Sequence, residues 1–169
     1  EADYVENMII TSTHNTILFF TNKGLVYQLK GYEIPESGRT AKGTAIVNLL
    51  PLAKEETITA IIPIKEFSKD RYLFMATRHG IVKKTGLSEF DTNRKKTGLI
   101  ALSLKENDEL IDVKLTDGNR QIIIGTRDGM SICFNEQDVR PMGRTARGVI
   151  GIKLKGEDTV IGMDNIRDD

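Results

Sequence analysis

Short apolar runs recur along this chain at regular spacing. ILFF, LFMA and IIIG are each followed by a threonine, Thr21, Thr77 or Thr126, and three residues later by a glycine, Gly24, Gly80 or Gly129. These glycines stand 56 and 49 residues apart. A second glycine column follows 18 or 19 positions further on, at Gly43, Gly98 and Gly148. Apolar residues then take the second, fourth and sixth places: Ala45, Val47 and Leu49; Ile100, Leu102 and Leu104; Ile150, Ile152 and Leu154. Polar Asn48, Ser103 and Lys153 lie between them. That alternation predicts strands with one buried face, and the repetition predicts three units of about 50 residues.

Each unit reads as four short strands. In the second they are TITAIIPI (57–64), YLFMAT (72–77), IVKKT (81–85) and LIALSL (99–104), rich in branched and aromatic residues and bounded by turn formers. Asn22-Lys23-Gly24, Arg78-His79-Gly80 and Arg127-Asp128-Gly129 predict hairpin turns in which glycine takes a positive φ. Pro63 has no N–H for a ladder, so its strand is expected at a sheet edge or at a bulge.

The repeats span approximately 5–53, 57–104 and 109–154, and 159–166 resembles the first strand of a further blade. With no helical period anywhere, the fold class is all-β: one partial domain over 1–169 of propeller-like blades of four antiparallel strands, about three blades present. A sandwich is the alternative. Three blades do not normally close a ring, so exposed sheet edges, and with them an open arc or self-association, are expected.

Composition narrows the classes further. Lys plus Arg and Asp plus Glu are 24 each in 169 residues, so any charged surface must arise by segregation. The single cysteine, Cys133, excludes an internal disulfide and suits a reducing cytoplasm; no apolar run reaches the roughly 20 residues of a membrane span. The chain opens at Glu1 without methionine or a signal segment, which predicts a piece of a longer cytoplasmic protein with no membrane partner.

Charge is in fact segregated within each unit. The connections 54–56, 105–109 and 155–158 are acidic. The loops before the fourth strands are basic, with Arg39 and Lys42, then Arg94, Lys95 and Lys96, then Arg140, Arg144 and Arg147. Superposed repeats would set these loops along one edge, and Arg78, Lys83, Lys84 and Arg127 would widen the track. Such a track suits the phosphates of duplex DNA, gripped without sequence reading. The alternative is that they are solvated turn charges.

GRTAKG (38–43), MGRTARGVIGIKL (142–154) and TILFFTNKG followed by VYQLKGYEIP (16–35) resemble the C-terminal domain of the DNA gyrase A subunit over essentially the whole chain. The resemblance implies a β-pinwheel, a propeller relative with strands exchanged between neighbouring blades. It also implies DNA wrapping on a basic perimeter, as the accessory domain that lets an ATP-dependent topoisomerase introduce negative supercoils. The partners implied are duplex DNA, the gyrase A catalytic domains and the gyrase B subunit.

The corresponding domain of topoisomerase IV is the nearest alternative, and a propeller-type protein-interaction scaffold is another. A QRRGGKG-like gyrase A box does not occur in this sequence, and the middle loop, Asn93 to Gly98, keeps cations without GRTA.

Catalytic chemistry finds no support. His14 and His79 fall at apparent turns without clustered ligands, Cys133 is expected inside a buried strand, and Tyr4, Tyr27, Tyr32 and Tyr72 read as packing residues. No G-x-x-x-x-G-K-[ST] loop is present. Neither cofactor nor metal is expected, and the catalytic residues of the enzyme that the resemblance implies would lie outside this chain.

Overall fold

The computed structural model describes residues 16–33, 50–91 and 98–167. Three hairpins organise it: β1 (Thr16–Thr21) with β2 (Leu25–Lys30), β4 (Tyr72–Thr77) with β5 (Ile81–Gly86), and β8 (Arg120–Thr126) with β9 (Ser131–Asn135). Each turn closes by the glycine N–H donating to the carbonyl of the threonine three residues earlier, at 3.0 Å for Gly24 and 3.1 Å for Gly80 and Gly129. In the second and third turns the threonine hydroxyl also accepts, from Ile81 N at 3.1 Å and Met130 N at 3.0 Å. The Thr-x-x-Gly repeat is therefore a turn motif.

Each hairpin is completed by chain from the next repeat. The first sheet runs β3 (Ile58–Ile64), β1, β2, β6 (Leu99–Ile100); the second runs β7 (Leu110–Thr116), β4, β5, β10 (Val149–Ile150). The third is β11 (Val160–Arg167), β8, β9, and all these strand pairs are antiparallel. The four contiguous strands of the second repeat thus divide between two sheets, β3 and β6 in one and β4 and β5 in the other. The segment 159–166 supplies β11, the inner strand of the third sheet. The fourth strand of the first repeat lies outside the described residues.

Strands β3, β7 and β11 pack beside one another, which places them inside and β6 and β10 on the perimeter. Pro63 is exposed on β3, opposite Ile17, at the inner edge of the first described sheet, as its missing donor requires.

The sheets stack face to face. Leu18, Phe20, Ala60 and Ile62 of the first meet Leu73, Met75, Leu110 and Val113 of the second. Phe74, Ala76 and Val82 on the opposite face of the second meet Ile122, Ile124 and Met163 of the third. A sheet covered on both faces has no solvent side, which explains why β4 reads as a continuous apolar run.

The fourth strands differ from expectation. Pairing ends at Ile100 and Ile150, because the next N–H groups turn to a hairpin carbonyl: Ala101 N and Leu102 N donate to Gly24 O, and Gly151 N and Ile152 N donate to Gly80 O. Alternation breaks there, so Leu102 and Ile152 are buried while Ile100 and Ile150 are exposed. Cys133 is in a strand as expected but is exposed; among the described residues β9 pairs with β8 alone.

Gly80 has φ +93° and Gly129 φ +90°, but only at Gly80 would a Cβ meet a carbonyl, that of Ile152 at 2.5 Å. Replacing either by alanine should cost roughly 1–2 kcal/mol for the backbone conformation, and Gly80→Ala should cost measurably more. Urea unfolding of the two variants compares them; equal losses would mean that the close approach of the outer chain adds nothing.

Candidate nucleic-acid interface

The GRTARG loop lies on the perimeter and spans two blades. The chain enters along the outer edge of β5, where Pro141 bridges Lys84 and Met142 N donates to Lys84 O at 2.7 Å. It then crosses to the first sheet, where Ser103 N donates to Ala146 O at 3.2 Å, Ser103 Oγ donates to Thr145 O at 2.6 Å, and Arg144 Nη1 donates to Ile100 O at 3.1 Å. It returns to the second sheet as β10, paired with Ile81 and Val82. The return needs glycine at 148: φ is +91°, and a Cβ would lie 2.5 Å from Val82 O.

Arg140 and Arg147 are exposed, and among the described residues neither forms an ion pair. Arg144 is half-buried, with its guanidinium committed to Ile100 O. Arg39, Lys42, Arg94, Lys95 and Lys96 lie outside the described residues.

Arg78 and Arg127 stand at hairpin corners and turn towards acidic connections. Arg78 pairs with Glu109 at 3.3 Å; Arg127 reaches Asp128 at 3.5 Å and donates to Glu157 O at 2.7 Å. Their charge is offset locally, though such exposed pairs hold only weakly.

Lys83 and Lys84 require a correction: neither is a surface cation. Both are buried, Lys83 completely. Lys83 Nζ donates to Ala101 O at 2.6 Å and to Arg144 O. Lys84 points to the other face, where Nζ donates to Glu136 O at 3.0 Å, lies 3.9 Å from Glu136 Oε1 and sits 4.9 Å from the centre of the Tyr72 ring. Alternate residues of a strand face opposite ways, and here both faces carry a neighbouring blade.

Burial pushes the Lys83 ammonium down to about 8, aided by the Arg144 charge and opposed by Glu89. Lys84 is lowered too, by burial, against the pull of Glu136.

Several acids missed by sequence reasoning are likewise structural. Glu56, buried, accepts from Thr21 Oγ1 at 2.7 Å, Tyr27 OH at 3.1 Å and Ala53 N at 2.8 Å. Asp108 accepts from His79 N at 3.0 Å and Asp158 from Asp128 N at 3.0 Å. Glu136, fully enclosed, accepts from Thr116 Oγ1, Gly118 N and Arg120 N at 2.8–3.1 Å. The signal available was positional, since the first three stand at or near the end of the acidic connections. Among the described residues no group of three or more His, Cys, Asp or Glu is placed to hold a metal.

Hairpins completed inside and outside by the following repeat, stacked about an inner row of strands, define a strand-exchanged domain of the β-propeller class. The profile described as DNA gyrase C-terminal domain, beta-propeller, matches residues 15–65, 71–117 and 120–167, each match taking one hairpin with its inner strand. The chain belongs to the DNA gyrase C-terminal domain family.

It is 58% identical over 152 residues to the DNA gyrase A subunit of Halalkalibacterium halodurans, covering 90% of this chain and 18% of that protein. Against the DNA gyrase A subunit of Clostridium acetobutylicum it is 56% identical, covering 89% and 18%. The chain therefore spans less than a fifth of these relatives. A solved C-terminal domain of DNA topoisomerase IV superposes with a TM-score of 0.86 at 34% identity, over 94% of this chain and 49% of that one. A solved DNA gyrase A C-terminal domain gives 0.74 at 26%, over 94% and 50%.

The enclosed ionisable groups predict a pH profile. Lys83 titrates near 10.5 when unfolded and about 8 when folded, so between these values the unfolded chain holds the extra proton and stability rises with pH. Burial, then the Glu56 contact, raises Tyr27 from 10.0 to about 12, so above 10.0 the folded chain holds the extra proton and stability falls. Urea midpoints across this range should rise and then decline, with a limiting slope of about 1.4 kcal/mol per pH unit per group. A flat rising limb would contradict the enclosure of Lys83.

Proposed function

We propose that this chain binds duplex DNA along its perimeter without reading sequence, and that in a complete gyrase-type topoisomerase it is part of the accessory surface on which DNA is wrapped for negative supercoiling. The observation that carries this reading is the GRTARG loop: fixed across two outer strands, it bears Arg147, with Arg140 just before it, exposed and unpaired among the described residues. Fixed cations on a convex edge suit a bent phosphate backbone, since they require spacing and charge but no base contact.

Arg39, Lys42, Arg94, Lys95 and Lys96, placed by the repeat in the equivalent loops, would extend the track. Arg78 and Arg127 would join it only by giving up acidic partners. Cleavage and religation would belong to catalytic domains outside this chain, and ATP to the gyrase B subunit. A cytoplasmic location follows from that assignment.

A second reading, a protein-interaction scaffold, is favoured by Ile100, Val149 and Ile150, which the outer strands leave 44%, 46% and 62% exposed. Salt separates the two. Fluorescence anisotropy with duplexes of unrelated sequence should give one affinity for all, with log K falling linearly against log salt. Changing Arg140 and Arg147 together to alanine should leave the fold intact and reduce that slope by about 0.9 for each phosphate left without a cation. Absence of DNA binding, or binding indifferent to salt, would reject the wrapping surface in favour of the scaffold.

A further inference from the structure

We propose that Lys83 is a positioning residue for the GRTARG loop, its enclosed side chain pinning the loop's backbone to the outer chain of the neighbouring blade. Three successive loop carbonyls accept from fixed donors: Arg144 O from Lys83 Nζ, Thr145 O from Ser103 Oγ and Ala146 O from Ser103 N. Lys83 also donates to Ala101 O, and Ala101 N donates to Gly24 O. One ammonium thus joins the hairpin corner of the first sheet, its outer chain and the loop that carries Arg147.

The repeat shows why a cation matters here. The equivalent position, three after the turn glycine, is Tyr27 in the first unit and Ile132 in the third. Tyr27 gives its hydroxyl to Glu56, and a Cβ on Gly98 would meet its ring at 2.9 Å, so the corresponding loop end rests on a ring. Only Lys83 offers N–H donors to two carbonyls at once.

Its charge is also poised to change. The groups acting on it are Arg144 from the loop and Glu89 from the 3-10 turn after β5; the outer chain it meets, residues 99–102, has no titratable side chain. A donor that loses its charge makes weaker bonds to both carbonyls and removes a positive charge from beneath the loop.

The test uses the whole chain with Lys83→Met, and Lys83→Gln as a second variant that keeps N–H donors without charge. Mass spectrometry times trypsin cleavage after Arg144 and Arg147, a readout independent of DNA. In the methionine variant these bonds should open about tenfold faster, the weight of one hydrogen bond to a charged group, while the thermal midpoint moves by only a few degrees. The glutamine variant should fall between, and decides the matter if methionine prevents folding.

The second measurement rests on the DNA-binding reading. Wild-type affinity for a duplex of arbitrary sequence, at fixed salt, should fall as pH rises through about 8, whereas both variants bind more weakly and without that step. Wild-type protection of the Arg144 and Arg147 bonds in folded variants would overturn the pin. A wild type that binds no DNA, with cleavage still accelerated in the variants, would sink the wrapping proposal and leave the pin supported.

Discussion

The hairpin corner is the contact on which the rest depends, because the polar groups that its own turn leaves open are satisfied by chain that comes later. Gly24 O and Gly80 O take N–H groups from the outer chain of the next repeat. Asn22 O and Arg78 O take Leu110 N and Val160 N, at 3.0 and 2.8 Å, from strands of the next blade. The corner N–H groups of His79 and Asp128 end on the next connection's carboxylates. Buried backbone groups left unmatched are costly, so a hairpin without its successor is incomplete. The array therefore gains stability from its neighbours.

Much of this architecture was legible in the chain. Thr21, Thr77 and Thr126 with their glycines marked the hairpins, because a positive φ and a turn hydroxyl leave a residue signature. Pro63 marked an edge for an equally local reason. Which strands share a sheet left no such mark: strand 57–64 is apolar whether it pairs with 72–77 or with 16–21, and periodicity carries no address. The outer strands were read too long, because the departure of Ala101 and Gly151 towards a hairpin carbonyl is a tertiary event. In the candidate site, Arg140, Arg144 and Arg147 were read from the repeated basic loops, and the structure leaves Arg140 and Arg147 exposed but turns Arg144 onto Ile100 O. Lys83 and Lys84 misled because lysines on a hairpin are usually solvated, and only a blade on each face encloses them. The position four after the turn glycine did hold a clue: Gln28 there donates to Phe90 O and Lys84 to Glu136 O, two side chains meeting the 3-10 turns of the next blade, with Cys133 third in the series.

Enclosure also changes the electrostatic picture. Among the described residues the buried charged groups are four carboxylates, Glu56, Asp108, Glu136 and Asp158, and two ammonium groups. Among these residues more negative than positive charge is thus withdrawn from solvent, and their exposed surface is the more cationic for it. The acids at the corners are hydrogen-bond acceptors first. They shape the turns that keep the outer strands in register, and the field of the perimeter depends on them through geometry.

The offset between repeat and sheet bears on how such a chain grows. Each unit gives a hairpin to the unit after it and lends an inner and an outer strand to the unit before it, so its two ends present complementary halves of one joint. A copied unit spliced between two others finds both joints ready-made, whatever the phase of the splice, provided a whole period is added. Loss of a partial period would instead strand one half-joint on each side of the break. Tandem duplication of whole units is accordingly the inexpensive route to a longer arc, and the number of blades can vary among descendants while the corner chemistry stays the same.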